Sequence, residues 1–250
     1  MRCDCWTATA ANGATRMTTE LSDPSAPRLL SFDTREEASA SLAAEICETL
    51  TDALAAHGRA TLVVSGGTSP VAFFHHLRRL PLSWERITVV PSDERVVPLD
   101  HADRNEAMIR RELLQGAAAG ASLRGLLPAS GSTANLPQLA ETLPLSFDAV
   151  VLGMGTDGHT ASLFPGAPQL EAALRSPEPL ALLDVPSLGA ERVSLTPSAL
   201  LATRRIDLLI FGPEKRAIYE SAVAGDDIGE LPVRCVLHQN QVPVRVFWAP

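Results

Sequence analysis

Short runs of aliphatic and β-branched residues alternate with helical stretches along this chain, and few folds accommodate that alternation. The strongest runs cover residues 60–65, 149–152 and 206–211. A long helical stretch precedes the first of them, where Thr34 and Glu37 form a capping box and apolar residues then recur every four positions. Strands that alternate with helices pair in parallel. The sequence therefore predicts a doubly wound α/β fold, Rossmann-like, with a mostly parallel sheet and helices on both faces.

The start of the chain differs in composition from the rest. Residues 1–26 are rich in Ala, Thr and Ser and show no helical or strand period, so we interpret them as a disordered leader and residues 27–250 as a single domain. Met17 lies inside this leader and is an alternative start. Cys3 and Cys5 also lie there, but they lack the C-x-x-C spacing of metal and redox pairs, so we predict no site at them.

The charge of the chain excludes two classes of partner. With 21 Lys and Arg against 29 Asp and Glu, the net charge is −8, whereas a protein that binds nucleic acid or a membrane surface needs a basic face. The sequence contains neither a long apolar run that could span a bilayer nor a secretory signal. We therefore expect a cytoplasmic protein without nucleic-acid or membrane partners. A few cations in a cleft can still attract an anionic substrate.

In a doubly wound sheet, ligands bind beyond the carboxyl ends of the strands, and the first loop at that edge is rich in glycine. The loop SGGTSP covers residues 65–70. Gly66 and Gly67 allow the backbone to approach a ligand closely, and Thr68 lies beside them. Ser69 is placed to cap the following helix, whose free N–H groups would face a phosphate. The alternative is a tight strand-to-helix turn without a ligand. The loop lacks the Gly-Lys-Ser/Thr of a Walker motif.

Three cations lie in other loops or close to them. Arg95 ends the segment SDER directly after a strand, where it can hold a phosphate through two parallel hydrogen bonds; the alternative is a solvated turn. Arg192 begins a weaker strand, and Lys215 lies at the start of a helix. Lys215 is the single lysine among the 21 Lys and Arg. Its compact ammonium on a flexible stem can reach a substrate oxygen.

The loop after the run at 149–152 carries the best catalytic candidates. The segment GMGTDGHTASLFPG, residues 153–166, contains the G-x-G-x-x-G spacing of dinucleotide sites, but Pro165 leaves no room for the long helix those sites need. Asp157 can orient or charge-stabilise the imidazole of His159, and a histidine is a suitable general base at neutral pH. The alternative is a capping aspartate beside a surface histidine. No H-x-x-x-H spacing occurs, so no metal site is predicted.

Four segments of the chain resemble one known family, the 6-phosphogluconolactonases, which share a superfamily with the glucosamine-6-phosphate deaminases. The resemblance runs from about Leu29 to Trp248. It departs at Arg104, where a serine usually precedes Asn105, and after Trp248, where an aspartate commonly follows. The segments are SGGTSP, SDERVVP with Asn105 and Met108 following, FDAVVLGMGTDGHTASLFPG, and RVSLTPSALLATRRIDLLIFGPEKR.

This resemblance implies hydrolysis of 6-phospho-D-glucono-1,5-lactone to 6-phosphogluconate in the oxidative pentose phosphate pathway, without a metal or an organic cofactor. It implies that His159 is the base and that Asp157 supports it. The residues expected around the phosphate and the sugar are Gly66, Gly67, Thr68, Arg95, Arg192 and Lys215. We expect a monomer or a weak homodimer. Two alternatives stay open: a deaminase and isomerase acting on glucosamine 6-phosphate, and a non-catalytic sugar-phosphate sensor.

Overall fold

The computed structural model of the chain describes residues 26–144 and 146–250. The predicted leader lies outside these residues apart from Ala26, as do Met17, Cys3 and Cys5. The described strands are β1 (Arg28–Ser31), β2 (Ala60–Val64), β3 (Ile87–Pro91), β4 (Asp93–Arg95), β5 (Ser122–Leu123), β6 (Ala149–Leu152), β7 (Leu180–Val185), β8 (Ala190–Leu195), β9 (Ile206–Phe211) and β10 (Val244–Ala249).

Seven of these strands form one parallel sheet, in the order β1–β10–β9–β6–β2–β3–β5. The α-helices are α1 (Arg35–His57), α2 (Val71–Leu77), α3 (Asn105–Glu112), α4 (Leu136–Glu141), α5 (Leu170–Arg175), α6 (Pro197–Leu200), α7 (Pro213–Ala224) and α8 (Arg234–Leu237). Apolar clusters lie on both faces of the sheet, one with α1, α2 and α3 and the other with α6, α7 and α8. The predicted doubly wound fold is confirmed.

Helix α1 has the capping box and the buried apolar face that the sequence predicts. The backbone N–H of Glu37 donates to Thr34 Oγ1 at 3.1 Å, and the Glu37 carboxylate accepts from the Thr34 backbone N–H at 3.2 Å. Leu42, Ile46 and Leu50 are fully buried against the sheet. Gly58 ends the helix in the left-handed conformation, with φ of 71°. The predicted capping box and apolar face are confirmed.

A second, antiparallel sheet corrects part of the prediction. Strands β4, β8 and β7 form it, with β8 in the middle. The sequence predicted a mostly parallel sheet and placed residues 92–95 in a loop at its edge, with a solvated turn as the alternative. Asp93–Arg95 is instead a strand that pairs with β8. The chain leaves the parallel sheet at Ser92, which donates its N–H to Val64 and accepts from Leu195. Alternating side chains do not reveal which sheet a short strand joins.

Two edge strands and one helix start also differ from expectation. Arg28–Ser31 had no strand signal, and Ser122–Leu123 lies in a stretch that we interpreted as loop. The helix after the glycine loop begins at Val71 with Pro70 before it, and no side chain caps it, so the predicted cap by Ser69 is wrong. Among the described residues, none of the helices has the length and apolar content needed to cross a membrane.

Candidate active site

Loops at the carboxyl edge of the parallel sheet converge on one cleft of about 610 Å³. The structure brings all eight predicted site residues together around it. The lining consists of residues 65–69, Asp93, Arg95, Asn105, residues 153–157, His159, Ala161, Phe164, Leu188, Arg192 and Lys215. The cleft therefore lies between the parallel sheet and the small antiparallel sheet.

The imidazole of His159 is held on two sides. Its Nδ1 lies 2.5 Å from Asp157 Oδ1, and the same oxygen accepts the His159 backbone N–H at 3.2 Å. The ring stacks on Phe164, with centroids 3.9 Å apart and planes 25° from parallel. The His159 side chain keeps 28% of its surface exposed. The ring is thus oriented yet open to the cleft.

Asp157 is suited to this supporting position by its ionisation. Partial burial raises the pKa of its carboxyl, but the hydrogen bond and charge of His159 outweigh burial, and the pKa of Asp157 lies below its usual range. Asp157 is therefore a carboxylate at neutral pH. A carboxylate that accepts from Nδ1 leaves Nε2 of a neutral imidazole without a proton.

The loop that carries His159 depends on glycine at two positions. A Cβ on Gly155 would overlap the His159 ring and the Asp157 carboxylate, so only glycine fits there. Gly158 has φ of 75° and packs on Leu231. The Gly155 N–H donates to the His159 carbonyl at 2.9 Å. An isolated bridge between Thr160 and Leu163 follows instead of a helix, which argues against a dinucleotide site.

Two arginines face each other across the small sheet. Arg95 and Arg192 are register partners on β4 and β8. Arg95 Nη1 donates to the carbonyl of Asp103 at 2.7 Å and to Asn105 Oδ1 at 2.9 Å. Burial, and then the charge of Arg95, lowers the pKa of Arg192. Like charges directly opposite are unfavourable, so this pair marks a place where an anion would relieve repulsion.

Arg192 offers a hydrogen-bond donor that has no acceptor. Its Nε is buried and has no hydrogen-bond partner within residues 26–144 and 146–250. Its guanidinium lies 5.9 Å from the centroid of Phe164, the same ring on which His159 stacks. An unsatisfied buried donor is costly. A ligand oxygen is a suitable partner for it.

Lys215 brings a third cation to the cleft. It lies in the first turn of α7, after Gly212, which has φ of 90°. Burial and the charge of Arg35 lower the pKa of Lys215, and the nearby charge of Asp157 opposes them. Lys215 lines the same cleft as Asp157 and His159. The sequence predicted Lys215 as a contact without predicting this neighbour.

The glycine loop approaches the site through its backbone. A Cβ on Gly66 would overlap the side-chain amide of Asn105, so the loop can pass there only as glycine. Gly67 has φ of 85°. Thr68 follows and lines the cleft. No side chain caps the next helix. The glycine loop therefore contributes to the cleft through the path of its backbone.

Three residues of the cleft were not predicted from the residues alone. Asn105 donates to the Asp93 carbonyl at 2.8 Å while it accepts from Arg95. Asp93 accepts from Ser162 Oγ at 2.6 Å. Phe164 packs on His159. An isolated Asn, Asp or Phe carries no spacing signal, and although all three lie in or beside the segments of the family resemblance, no site role was predicted for them. Among the described residues, no group of three or more His, Cys, Asp and Glu side chains could hold a metal ion.

Comparison with known proteins identifies the family of this chain. The family model described as glucosamine-6-phosphate isomerases/6-phosphogluconolactonase matches residues 33–248. A 6-phosphogluconolactonase of Pseudomonas putida is 41% identical over 92% of this chain and 96% of its own length. One of Pseudomonas aeruginosa is 43% identical over 92% and 98%. The crystal structure of a 6-phosphogluconolactonase from Shewanella baltica OS155 has a TM-score of 0.87 and 37% identity, and covers 90% of this chain and 98% of its own. The chain therefore belongs to the glucosamine-6-phosphate isomerase/6-phosphogluconolactonase family, as its motifs suggested.

Proposed function

We propose that this protein is a 6-phosphogluconolactonase that hydrolyses 6-phospho-D-glucono-1,5-lactone to 6-phosphogluconate, within the oxidative pentose phosphate pathway. One observation carries the proposal: the imidazole of His159, bound to Asp157, lines the same cleft as three cations. The relatives at about 40% identity bear the same name. A base beside a dianion-binding site is what hydrolysis of this phosphorylated ester requires.

In this mechanism His159 is the general base. Its Nδ1–H donates to Asp157, which leaves Nε2 free to take a proton from a water molecule as that water attacks the lactone carbonyl carbon. Asp157 then stabilises the imidazolium that forms. The ring oxygen leaves and takes a proton, which the same imidazolium can supply. A positioned base contributes about 10² to 10⁴ in rate, and a lactone is an activated ester that needs neither metal nor cofactor.

Arg95 and Arg192 bind the phosphate in this proposal. They bring two positive charges to neighbouring positions, and a phosphate dianion carries two negative charges. The unpartnered Nε of Arg192 is one donor for it. The backbone at Gly66, Gly67 and Thr68 borders the same cleft and limits how far the phosphate can enter.

Lys215 stabilises the oxyanion in this proposal. The backbone N–H of Gly155 is another donor beside the imidazole, but it already donates to the His159 carbonyl. Lys215 lines the cleft together with Asp157 and His159. A partly buried ammonium stabilises developing negative charge better than one in water.

A coupled assay tests the function directly. The lactone is generated from glucose 6-phosphate at slightly acidic pH, where spontaneous opening is slow, and its loss is followed with and without the protein. We expect strong acceleration and formation of 6-phosphogluconate. Ammonia release from glucosamine 6-phosphate would instead indicate a deaminase. Binding of 6-phosphogluconate without turnover would indicate a sensor. Either result would contradict the proposal.

A further inference from the structure

A second cleft opens at the opposite, amino-terminal edge of the parallel sheet. Its volume is about 660 Å³, against about 610 Å³ for the active-site cleft. Thr61 and Thr88 line it and are register neighbours near the starts of β2 and β3. Leu143 and Phe147, both buried, form part of its wall. This cleft is therefore a concave, partly polar space that the proposed reaction does not use.

Cations dominate the lining of this second cleft. Arg59, Arg124 and Arg204 reach it from three different segments, and His57 lies beside them with its Nε2 2.7 Å from Arg204 Nη2. Across residues 26–144 and 146–250, no ion pair joins any of these three guanidinium groups to a carboxylate. Guanidinium groups gathered without counter-charges repel one another, and they are favourably placed for an anion.

The one carboxylate among the described lining residues is already engaged. Asp148 accepts from the Thr61 backbone N–H at 2.8 Å and from Thr61 Oγ1 at 3.0 Å. Three guanidinium charges therefore face one carboxylate, on a chain whose net charge is −8. We propose that this cleft binds a small phosphate-bearing molecule. The forked donors of arginine match phosphate oxygens, and the hydroxyl groups of the lining supply neutral donors.

The test counts binding sites with inorganic pyrophosphate as the probe, by isothermal titration calorimetry. The wild-type protein should show two classes of site. R59A/R124A should weaken one class at least tenfold, the loss of about one charge-assisted hydrogen bond, with lactone turnover unchanged. R95A/R192A should remove only the other class. Because Arg59 and Arg124 are exposed, R59A/R124A should fold.

R79A/R86A is the matched control, since it removes two exposed arginines that do not line the cleft. It should keep both classes of site. Pyrophosphate binding that R59A/R124A leaves unchanged would overturn the proposal. So would equal weakening in R79A/R86A and R59A/R124A, because that result would reflect net charge alone. The outcome does not depend on the proposed function.

A buried ion network beneath Arg95 carries a second, independent inference. Glu94 and Arg104 are both fully buried, and Arg104 Nε lies 3.2 Å from Glu94 Oε2. Glu94 also accepts the backbone N–H groups of Arg95, Asn105 and Glu106 at 2.7 to 2.8 Å. The Glu94 carboxylate thus caps α3 from a neighbouring strand and ties that helix to β4.

Arg104 joins this carboxylate to two loops. It donates to the carbonyls of Val97 at 2.6 Å and Leu127 at 2.9 Å. Asn105, the next residue, bridges Arg95 and the Asp93 carbonyl. We infer that Arg104 is a positioning residue: through Glu94 and Asn105 it fixes the guanidinium of Arg95 toward the cleft. This inference rests on the proposed function.

R104K and R104M test it together. Lysine keeps the charge beside Glu94 but cannot reach both carbonyls, and methionine removes the charge. We expect KM to rise about threefold in R104K and at least tenfold in R104M, a loss of about one hydrogen bond to a charged group, with kcat within twofold. R245K is the control, because Arg245 pairs with Asp207 and Glu45 at the amino edge of the sheet. It should change thermal stability alone.

The affinity for 6-phosphogluconate is measured in parallel. A lower melting temperature with unchanged KM and unchanged affinity would show that Arg104 supports the fold only, and would overturn the inference. If R104M does not fold, R104K decides by the same ratio of KM to kcat. If the wild-type protein binds 6-phosphogluconate but does not hydrolyse the lactone, the proposed function fails, and the affinity series still tests Arg104.

Discussion

The two ends of the active-site cleft are held in place by different means. At the cation end, Arg95 and Arg192 lie on paired strands above a buried ion network. At the imidazole end, His159 lies on a short loop, where one hydrogen bond to Asp157 and one stacked ring of Phe164 orient it. One end is fixed by secondary structure and buried charge, the other by a few close contacts.

The difference follows from what each end must do. Two guanidinium groups repel each other when no anion is bound, so they need a rigid framework that keeps them together. An imidazole needs a defined tautomer and direction, which one carboxylate can set. Changes at the cation end should therefore alter substrate binding, and changes at the imidazole end should alter turnover.

Removal of the imidazole should give the largest effect. His159→Asn keeps a similar volume but no base, and we expect kcat to fall about 10² to 10⁴-fold, with KM and melting temperature nearly unchanged because the side chain is partly exposed. His75→Asn, on α2 and outside the cleft, is the control. Steady-state kinetics on freshly generated lactone decide. Turnover close to that of wild type would remove His159 from the mechanism.

The second-largest effect is expected from a substitution that crowds the imidazole of His159. A Cβ at Gly155 overlaps His159 and Asp157, so Gly155→Ala should displace the ring and lower kcat about 10- to 100-fold. Gly153→Ala is a matched control in the same loop, because its Cβ would meet Ser65 Oγ at an ordinary 3.7 Å. Equal kinetics in the two variants would show that the position of His159 is not limiting.

Removal of either arginine at the cation end should raise KM. Arg95→Ala and Arg192→Ala each remove charge-assisted hydrogen bonds worth about 1.5 to 3 kcal/mol, so we expect KM to rise roughly 10- to 100-fold with a small change in kcat. Arg86→Ala, an exposed arginine elsewhere, is the control. A fall confined to kcat would contradict phosphate binding by these arginines. It would also contradict the assignment of binding to the cation end and turnover to the imidazole end.

The smallest effect should come from titration of Lys215. Because burial and Arg35 lower its pKa, the ammonium should lose its proton below the usual lysine value of about 10.4. Affinity for 6-phosphogluconate should then weaken as pH rises through that lowered pKa, by about fivefold, or roughly 1 kcal/mol of charge attraction. Titration calorimetry across this range measures it. The affinity of Lys215→Arg for 6-phosphogluconate should not change over this pH range. The same decline in that variant would show that another group titrates.

Much of the parallel sheet could be predicted from the chain. Its central strands are short apolar runs, and the capping box at Thr34 and the glycine at Gly58 set the bounds of α1. The edge strands β1 and β5 could not be predicted, because they exist only through pairing. The strands β7 and β8 of the small sheet were predicted, but their antiparallel pairing was not. The sequence of β4 is typical of a charged turn, and the segment is a strand because it pairs with β8.

The sequence by itself identified the candidate groups: a histidine with its aspartate, a glycine loop and three cations. Tertiary structure alone decided that Arg95 lies opposite Arg192, that Phe164 supports the imidazole and that the Gly155 N–H is engaged elsewhere. The physical reason is range. Caps, turns and periodicity are interactions between near neighbours in the chain, whereas these contacts join segments far apart in it, or depend on the folded shape of a loop.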